Sequence, residues 1–488
     1  MSTPVLVGIA HIEQRITDWT EGKEPLDLMI DAVKAAVRDT STELVPQIDA
    51  IHVIGGLWQY KDPAAYIAEH IGAGKVETGI TTLGGNMVQY ALSQSALEIQ
   101  RGTKRVVVIT GAECGNLAAK ARKAGTQPDW KNAAGDPDRV FNKGGFGSNE
   151  HERAVRLGGA TNWYALFENA IRSARGESIE AHQTRISELW AGFSRVAANN
   201  PDAWIQKEHS AEEIRTIGPL NRPVTFPYPK LMNANNSVDM AAALVLCDTE
   251  TARSMGIDES LWVYPWTSTH GTDTAEVSHR DNLYSSPAIR VAGNRCLQLA
   301  NLGLSDIDHL DLYSCFPSAV QVAATELGID QSSRGLTITG GLTFGGGPLN
   351  NYVMHALVRM VKLLRSNPDN KAFVTSNGGL LTKHAFGVYA TTPPDKPFQY
   401  EDCQEEIDLM PKRAVTDHVG TATVESYVVM YQGESPAHAV IAALTEDGTR
   451  TWGMTQNEDD MLDMTRSELI GRTVQIDADR MATFPASA

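Results

Sequence analysis

The chain repeats its own pattern. A helix-spaced segment, PLDLMIDAVKAAVRDT (25–40), is followed by a short apolar run that ends in glycines, IDAIHVIGG (48–56). The same order returns in SPAIRVAGNRCLQLANLG (286–303) and IDHLDLYSC (307–315). A second pair also matches. GGNMVQYALSQSALEIQRG (84–102) leads into KRVVVITGAE (104–113), and GGPLNNYVMHALVRMVKLLRS (346–366) leads into KAFVTSNGG (371–379). Both helices of this second pair open on a glycine-rich turn. Apolar residues at helical spacing predict amphipathic helices, and short continuous apolar runs predict strands buried on both faces. Two matches in the same order indicate an internal duplication, carried by pattern rather than identity. Two copies of a βαβα unit pack as two related, mostly parallel sheets with helices between and outside them, so the predicted class is α/β.

Other segments fit around this frame. VLVGIAHI (5–12) and NNSVDMAAALVLCD (235–248) read as further buried strands. Between the halves, 114–230 is rich in Gly, Asn, Asp and Trp and carries helical stretches at 162–175 and 180–200. An insertion this long reads as a functional cap or added subdomain. The pattern changes after the proline-bearing connector TTPPDKPFQYED (391–402). Segments 421–432, 437–456 and 471–478 alternate apolar and polar residues, and Asp447-Gly448 between two apolar runs is a hairpin signal. Residues 401–488 therefore read as a small, self-contained antiparallel β-domain, OB-like in size and separable by cleavage at the connector.

Charge and cysteine usage narrow the function. Lys and Arg total 42 against 59 Asp and Glu, a net charge of −17. Such a field repels nucleic acid and anionic lipid, and an anionic ligand would need a local basic patch or helix N-termini. Five widely spaced cysteines form no CxxC pair and fit a reducing cytoplasm. The 13 histidines show no HExxH spacing, so no metal is expected. No basic leader or cleavage-like site marks a signal peptide, and no 18-residue apolar stretch predicts a membrane span.

Three glycine turns stand out: LGGNM (83–87), TFGGGPLNN (343–351) and TSNGGLLTKHAFG (375–387). Glycine lets a ligand approach the backbone, and a helix start offers free N–H donors to an oxyanion. Any one could be an ordinary turn. Placed symmetrically in two repeated halves, they read as two sides of one site, with Gly84, Gly85, Asn86, Gly346, Gly347, Asn377 and Gly378 as oxyanion or substrate contacts.

With these motifs in place, residues 1–395 resemble the thiolase superfamily, most closely the sterol-carrier-protein type. GAE (111–113), NANNSVDMAAALVL (233–246), DLYSCFPSA (311–319), GGGPLN (345–350) and TSNGG (375–379) are similar to that family's motifs in order and spacing. The resemblance implies a layered α-β-α-β-α arrangement of duplicated βαβαβ halves. It divides the chain into an N-terminal half (1–113 and 232–280), an inserted loop domain (114–231), a C-terminal half (281–395) and the additional β-domain (401–488). It implies acetyl-CoA acetyltransferase-like chemistry on acyl-CoA, with CoA as a substrate moiety, no permanently bound cofactor, and a homodimer or dimer of dimers. The pairing expected was through 104–111, an apolar strand that would be hazardous as a free edge.

The family's catalytic positions are changed in this chain. Its nucleophilic cysteine falls on Gly84, the Gly-His-Pro histidine on Gly347, the Cys-x-Gly cysteine on Ser376 and the His-Asp-Cys-Phe histidine on Tyr313. No cysteine lies between 1 and 113. Acyl-cysteine chemistry, which needs a thiolate beside an imidazole, is therefore not expected. Tyr313, His384, Ser376 and Cys315 remain as catalytic candidates. Tyr313 reads either as base or oxyanion donor or as a core aromatic, and His384 as a replacement imidazole or a loop histidine. Lys120, Arg122, Lys123 and Lys131 could face a CoA phosphate or solvent. Three functions stay open: an acyltransferase with nonstandard residues, a retro-aldolase on a β-hydroxyacyl-CoA, and a non-catalytic CoA-binding protein.

Overall fold

The computed structural model describes residues 2–485. Among the described residues, eighteen strands form three sheets. The first sheet draws on β1 (Pro4–Glu13), β2 (Ala50–Val53), β3 (Glu77–Thr81), β4 (Val106–Cys114) and β5 (Arg139–Phe141). After the short pair β6 (Pro223–Phe226) and β7 (Tyr228–Pro229), β8 (Asp239–Asp248) completes it in the order β1-β8-β4-β2-β3-β5. The second sheet uses β9 (Tyr264–Thr272), β10 (His309–Asp311), β11 (Lys371–Gly378), β12 (Lys383–Ala390) and β13 (Gln399–Asp402), ordered β10-β11-β12-β9-β13.

The duplication is exact at the level of pairing. In the first sheet β2 runs parallel to β4, β4 antiparallel to β8, and β8 antiparallel to β1. In the second, β10 runs parallel to β11, β11 antiparallel to β12, and β12 antiparallel to β9. The helix Met87–Arg101 touches strands of both sheets, as does its counterpart Tyr352–Ser366, so these two form the middle layer. Pro25–Asp39 covers the outer face of the first sheet, while Ile289–Leu299 packs on the second. Proline at its first turn and an apolar stripe from Leu26 to Val37 set the Pro25–Asp39 helix. Gly102, left-handed at φ 74°, ends the middle-layer helix Met87–Arg101. The structure is thus an α-β-α-β-α sandwich of two like halves.

One expectation is corrected. Strand β4, which contains most of 104–111, lies between β8 and β2, so it is interior rather than a free edge. Its continuous apolar character reflects burial on both faces, and the argument for pairing through it fails. The outermost strands of this sheet are β1 and β5.

The third sheet contains β14 (Gly420–Gln432), β15 (Ser435–Leu444), β16 (Arg450–Thr455), β17 (Thr473–Ile476) and β18 (Ala482–Thr483), ordered β16-β15-β14-β17-β18. The Asp447-Gly448 turn joins β15 to β16, with Gly448 at φ 81°. A parallel bridge between Met454 and Met481 brings the two ends of the sheet together. This unit is not self-contained. Strand β14 also pairs with β6 of the inserted region. Arg450 and Trp452 are fully buried. Arg450 holds Glu425 at 2.6 and 2.7 Å and donates to the carbonyls of Ser278 and Arg280. Trp452 donates to Ser278 Oγ and packs edge-on against Trp163. The alternating pattern beyond the connector reported the strands correctly, but not that one face of the sheet closes against the main body. Among the described residues, no helix is long and apolar enough to cross a membrane.

Arg450→Ala removes a fully buried guanidinium and leaves the half-buried Glu425 carboxylate and two carbonyls without their donor. It should cost about 3–5 kcal/mol, the usual penalty for breaking a buried pair. Urea unfolding followed by tryptophan fluorescence checks this, and a single transition is expected because β14–β16 share a core with the body. Unfolding of the C-terminal sheet alone would contradict it.

Candidate active site

The glycine turns converge where the halves meet. The Gly84-Gly85 turn opens the middle helix, with Gly84 at φ 155°. The Gly84 amide donates to Asn350 Oδ1 (3.0 Å), and Asn350 Nδ2 donates to the Gly55 carbonyl (2.7 Å). Asn351 donates likewise to the Gly111 carbonyl (2.8 Å). Two adjacent asparagines of the second half thereby hold the strand ends of the first. Gly346, left-handed at φ 110°, has no room for a side chain because Met240 Sδ would lie 2.6 Å from its Cβ. Gly347 borders Asn235 and Asn236.

A Cβ on Gly85 would come 2.5 Å from the Tyr313 hydroxyl and 2.4 Å from the Asn377 carbonyl. Tyr313 thus fills the space beside the turn, and burial pushes its phenol pKa well above 10. A phenol in that state donates a proton and does not act as a base near neutral pH. Tyr313 and His384 line one small buried cavity with Ser376, Asn377 and Phe386. His384 Nε2 lies 3.7 Å from Asp273. Burial opposes ionisation of Asp273, yet His384, Arg280 and Ser286 hold its carboxyl below the usual range.

The other candidates have structural partners. Ser376 Oγ donates to the Ala385 carbonyl (2.8 Å). Asn377 Nδ2 donates to Tyr164 Oη (2.8 Å) and reaches Cys315 Sγ at 3.8 Å. Burial pushes the Cys315 thiol up to about 12. All five cysteines are free and buried. Cys296 and Cys403 are likewise pushed to about 12, and Cys114 and Cys247 are raised by the same cause. Among the described residues, no group of three or more His, Cys, Asp or Glu is placed to hold a metal ion.

Three features went unread in the sequence. His270 is buried beside Asn86, whose Nδ2 lies 3.4 Å from its Nε2, and burial pulls its pKa down to about 3. Lys383 is 2% exposed and points at the Gly84 turn. Alternation along β12 puts it on the face opposite its neighbour His384, and no motif marks it. The third is a cavity of about 690 Å³ walled by Trp58, Tyr60, Trp130, Glu113 and Arg122. Among the described residues, the Tyr60 hydroxyl and Trp130 Nε1 are buried without a hydrogen-bond partner. Of the basic residues noted in the sequence, Lys131 pairs with Glu24 and Asp27, and Lys120 is bound to the Ile16 carbonyl.

With this geometry the fold can be compared with known proteins. A crystal structure of a monomeric SCP2-thiolase like protein type 1 from Mycobacterium smegmatis matches with a TM-score of 0.84 at 30% identity, covering 99% of each chain. This chain belongs to that thiolase-like family. Residues 402–481 of this chain also match a family described as the "Thiolase-like protein type 1 additional C-terminal domain". An acetyl-CoA acetyltransferase of Methanocaldococcus jannaschii is 22% identical over 268 residues, 54% of this chain and 60% of that protein. The match thus spans less than two thirds of that relative. An Ltp2-ChsH2(DUF35) aldolase shares the fold with a TM-score of 0.60 at 19% identity, over 80% of this chain and 97% of that one.

Glu113, at the end of β4, gives a pH signature. Burial raises its pKa from 4.5 to about 7, although its carboxylate accepts a hydrogen bond from the Leu57 amide. Between these values the native state holds a proton that the unfolded chain has released. This contribution to stability is present below about pH 4.5 and is lost as pH rises through 7. Glu113→Gln should flatten that loss in urea midpoints measured across the window. An unchanged slope would contradict the assignment.

Proposed function

We propose that this type 1 thiolase-like protein binds CoA or an acyl-CoA thioester, with the nucleotide in the aromatic cavity and the acyl end at the Gly84 turn, and without an acyl-cysteine. The cavity beside β4 carries this reading. Aromatic walls from Trp58, Tyr60 and Trp130 suit a stacked adenine, worth about 1–3 kcal/mol per base. The Arg122 guanidinium on the same wall suits a phosphate. Asn350 connects Gly55, two residues before the cavity residue Leu57, to Gly84. The likeness to an acetyl-CoA acetyltransferase supports CoA chemistry in coarse terms.

The thiols support a function without acyl-cysteine chemistry. The thiolate is the reacting form, and burial keeps all five cysteines protonated near neutral pH. Calorimetry should record one CoA bound per chain, with Arg122→Ala weakening it by about tenfold, or 1.4 kcal/mol. Intact mass after incubation with acetoacetyl-CoA should show no acylated cysteine. Absence of CoA binding, or a thioester on any cysteine, overturns the reading.

Tyr313 favours a second reading, cleavage of a β-hydroxyacyl-CoA. Its protonated phenol beside Gly85 would donate to the developing enolate, with His384 and Asp273 behind it. The related fold of an aldolase supports this, as does the C-terminal sheet, whose order and closing parallel bridge we read as an OB barrel. Tyr313→Phe should then lower cleavage by about 10²–10⁴-fold while sparing CoA binding. Equal rates would return Tyr313 to a packing role.

The assembly expectation also changes. With β4 interior, and a family member described as monomeric, we infer that this chain acts as a monomer in a reducing cytoplasm. Light scattering that gave a dimer mass would contradict that.

A further inference from the structure

Lys383 is a buried group that the CoA reading leaves unused. Its Nζ donates to the Leu83 carbonyl at 2.8 Å, and among the described residues it has no carboxylate within salt-bridge distance. A Cβ on Gly84 would lie 2.8 Å from this Nζ and 2.5 Å from Asn86 Oδ1. Asn86 is fully buried, and among the described residues its Oδ1 has no hydrogen-bond partner. The same oxygen would sit 2.4 Å from a Cβ on Gly378. An amine and an unpaired amide oxygen therefore converge on one spot, at the N-terminus of the 15-residue middle helix. Phe146, 49% exposed, lies over the amine at 5.3 Å, carried by the glycine run GGFGS. Burial lowers the Lys383 pKa, which enriches the neutral, nucleophilic amine.

We propose that Lys383 is a carbonyl-reactive amine, whose Nζ forms an imine with the β-keto group of a β-ketoacyl thioester held at the Gly84 turn. Delivery of that substrate rests on the CoA reading. The Nζ lone pair forms the C–N bond as the carbonyl π pair moves to oxygen, giving a carbinolamine after proton transfer from nitrogen to oxygen. The C–O bond then breaks, and the oxygen leaves as water with the second nitrogen proton. Amine and ketone thus become imine and water with no change of oxidation state. Asn86 Oδ1, unpartnered among the described residues, accepts the N–H of the carbinolamine. Phe146 shields the imine from hydrolysis.

The full-length protein is incubated with acetoacetyl-CoA and cyanoborohydride, whose hydride converts the imine to a stable secondary amine. Peptide mapping should then find one adduct per chain, on Lys383. Lys383→Arg, which keeps the charge, should abolish the adduct and leave CoA affinity unchanged. Phe146→Ala, which opens the imine to water, should lower the yield of the Lys383 adduct. A parallel arm uses 2-butanone as the ketone. Labelling of Lys383 by 2-butanone, with neither CoA binding nor a thioester adduct, would uphold the amine and remove the CoA reading. CoA binding without a Lys383 adduct in either arm, or labelling spread evenly over surface lysines, would overturn the imine. If Lys383→Arg fails to fold, the wild-type peptide map decides.

Discussion

The meeting of the two halves at the Gly84-Gly85 turn is the constraint on which the site depends. Neither glycine can carry a side chain. At Gly84 the space holds Lys383 Nζ and Asn86 Oδ1, and at Gly85 it holds the Tyr313 hydroxyl and the Asn377 carbonyl. Lys383, Tyr313 and Asn377 come from the second half, while the turn itself opens the helix that both sheets share. Asn350 fastens this junction by bonding Gly84 and Gly55 with its two side-chain atoms. The interface between the repeats is therefore also the wall of the candidate site, and substitutions there would disturb packing and chemistry together.

Packing against the C-terminal sheet extends the same principle. Arg450 and Trp452 bond to the 278–280 segment, and Arg280 in turn caps the carbonyls of Leu380 and Leu381, just before Lys383 and His384. The added sheet thus braces the strand that brings both residues to the site. The fold class gave no reason to expect this support. It accounts for why a β-domain without evident site residues of its own is built into the core.

Much of the fold was legible because duplication leaves a periodic trace. The helix-strand order of 25–56 and 84–113 returned in 286–315 and 346–379, and the pairing β2-β4-β8-β1 returned as β10-β11-β12-β9. What stayed hidden depends on three-dimensional neighbours. Strand β4 reads the same whether it is central or at an edge. The alternation of β14–β16 shows one buried face but not what buries it. His384 was singled out by its residue type, while Lys383 sits on the opposite face of β12 and carries no motif; only the position of its amine over Gly84 marks it. From sequence Tyr313 reads as base, oxyanion donor or core aromatic, and the burial that keeps its phenol protonated argues against the base.

The central claim is that a CoA thioester spans from the Trp58–Trp130 cavity to the Gly84 turn. A crystal structure of the complex with acetoacetyl-CoA, collected without reductant, tests it most directly. The expected complex has adenine stacked on the aromatic wall, a phosphate at Arg122, and the β-keto carbon bonded to Lys383 Nζ or within about 3–3.5 Å of it, the near-attack range. A thioester seated elsewhere, with Lys383 still bonded only to Leu83, would contradict it.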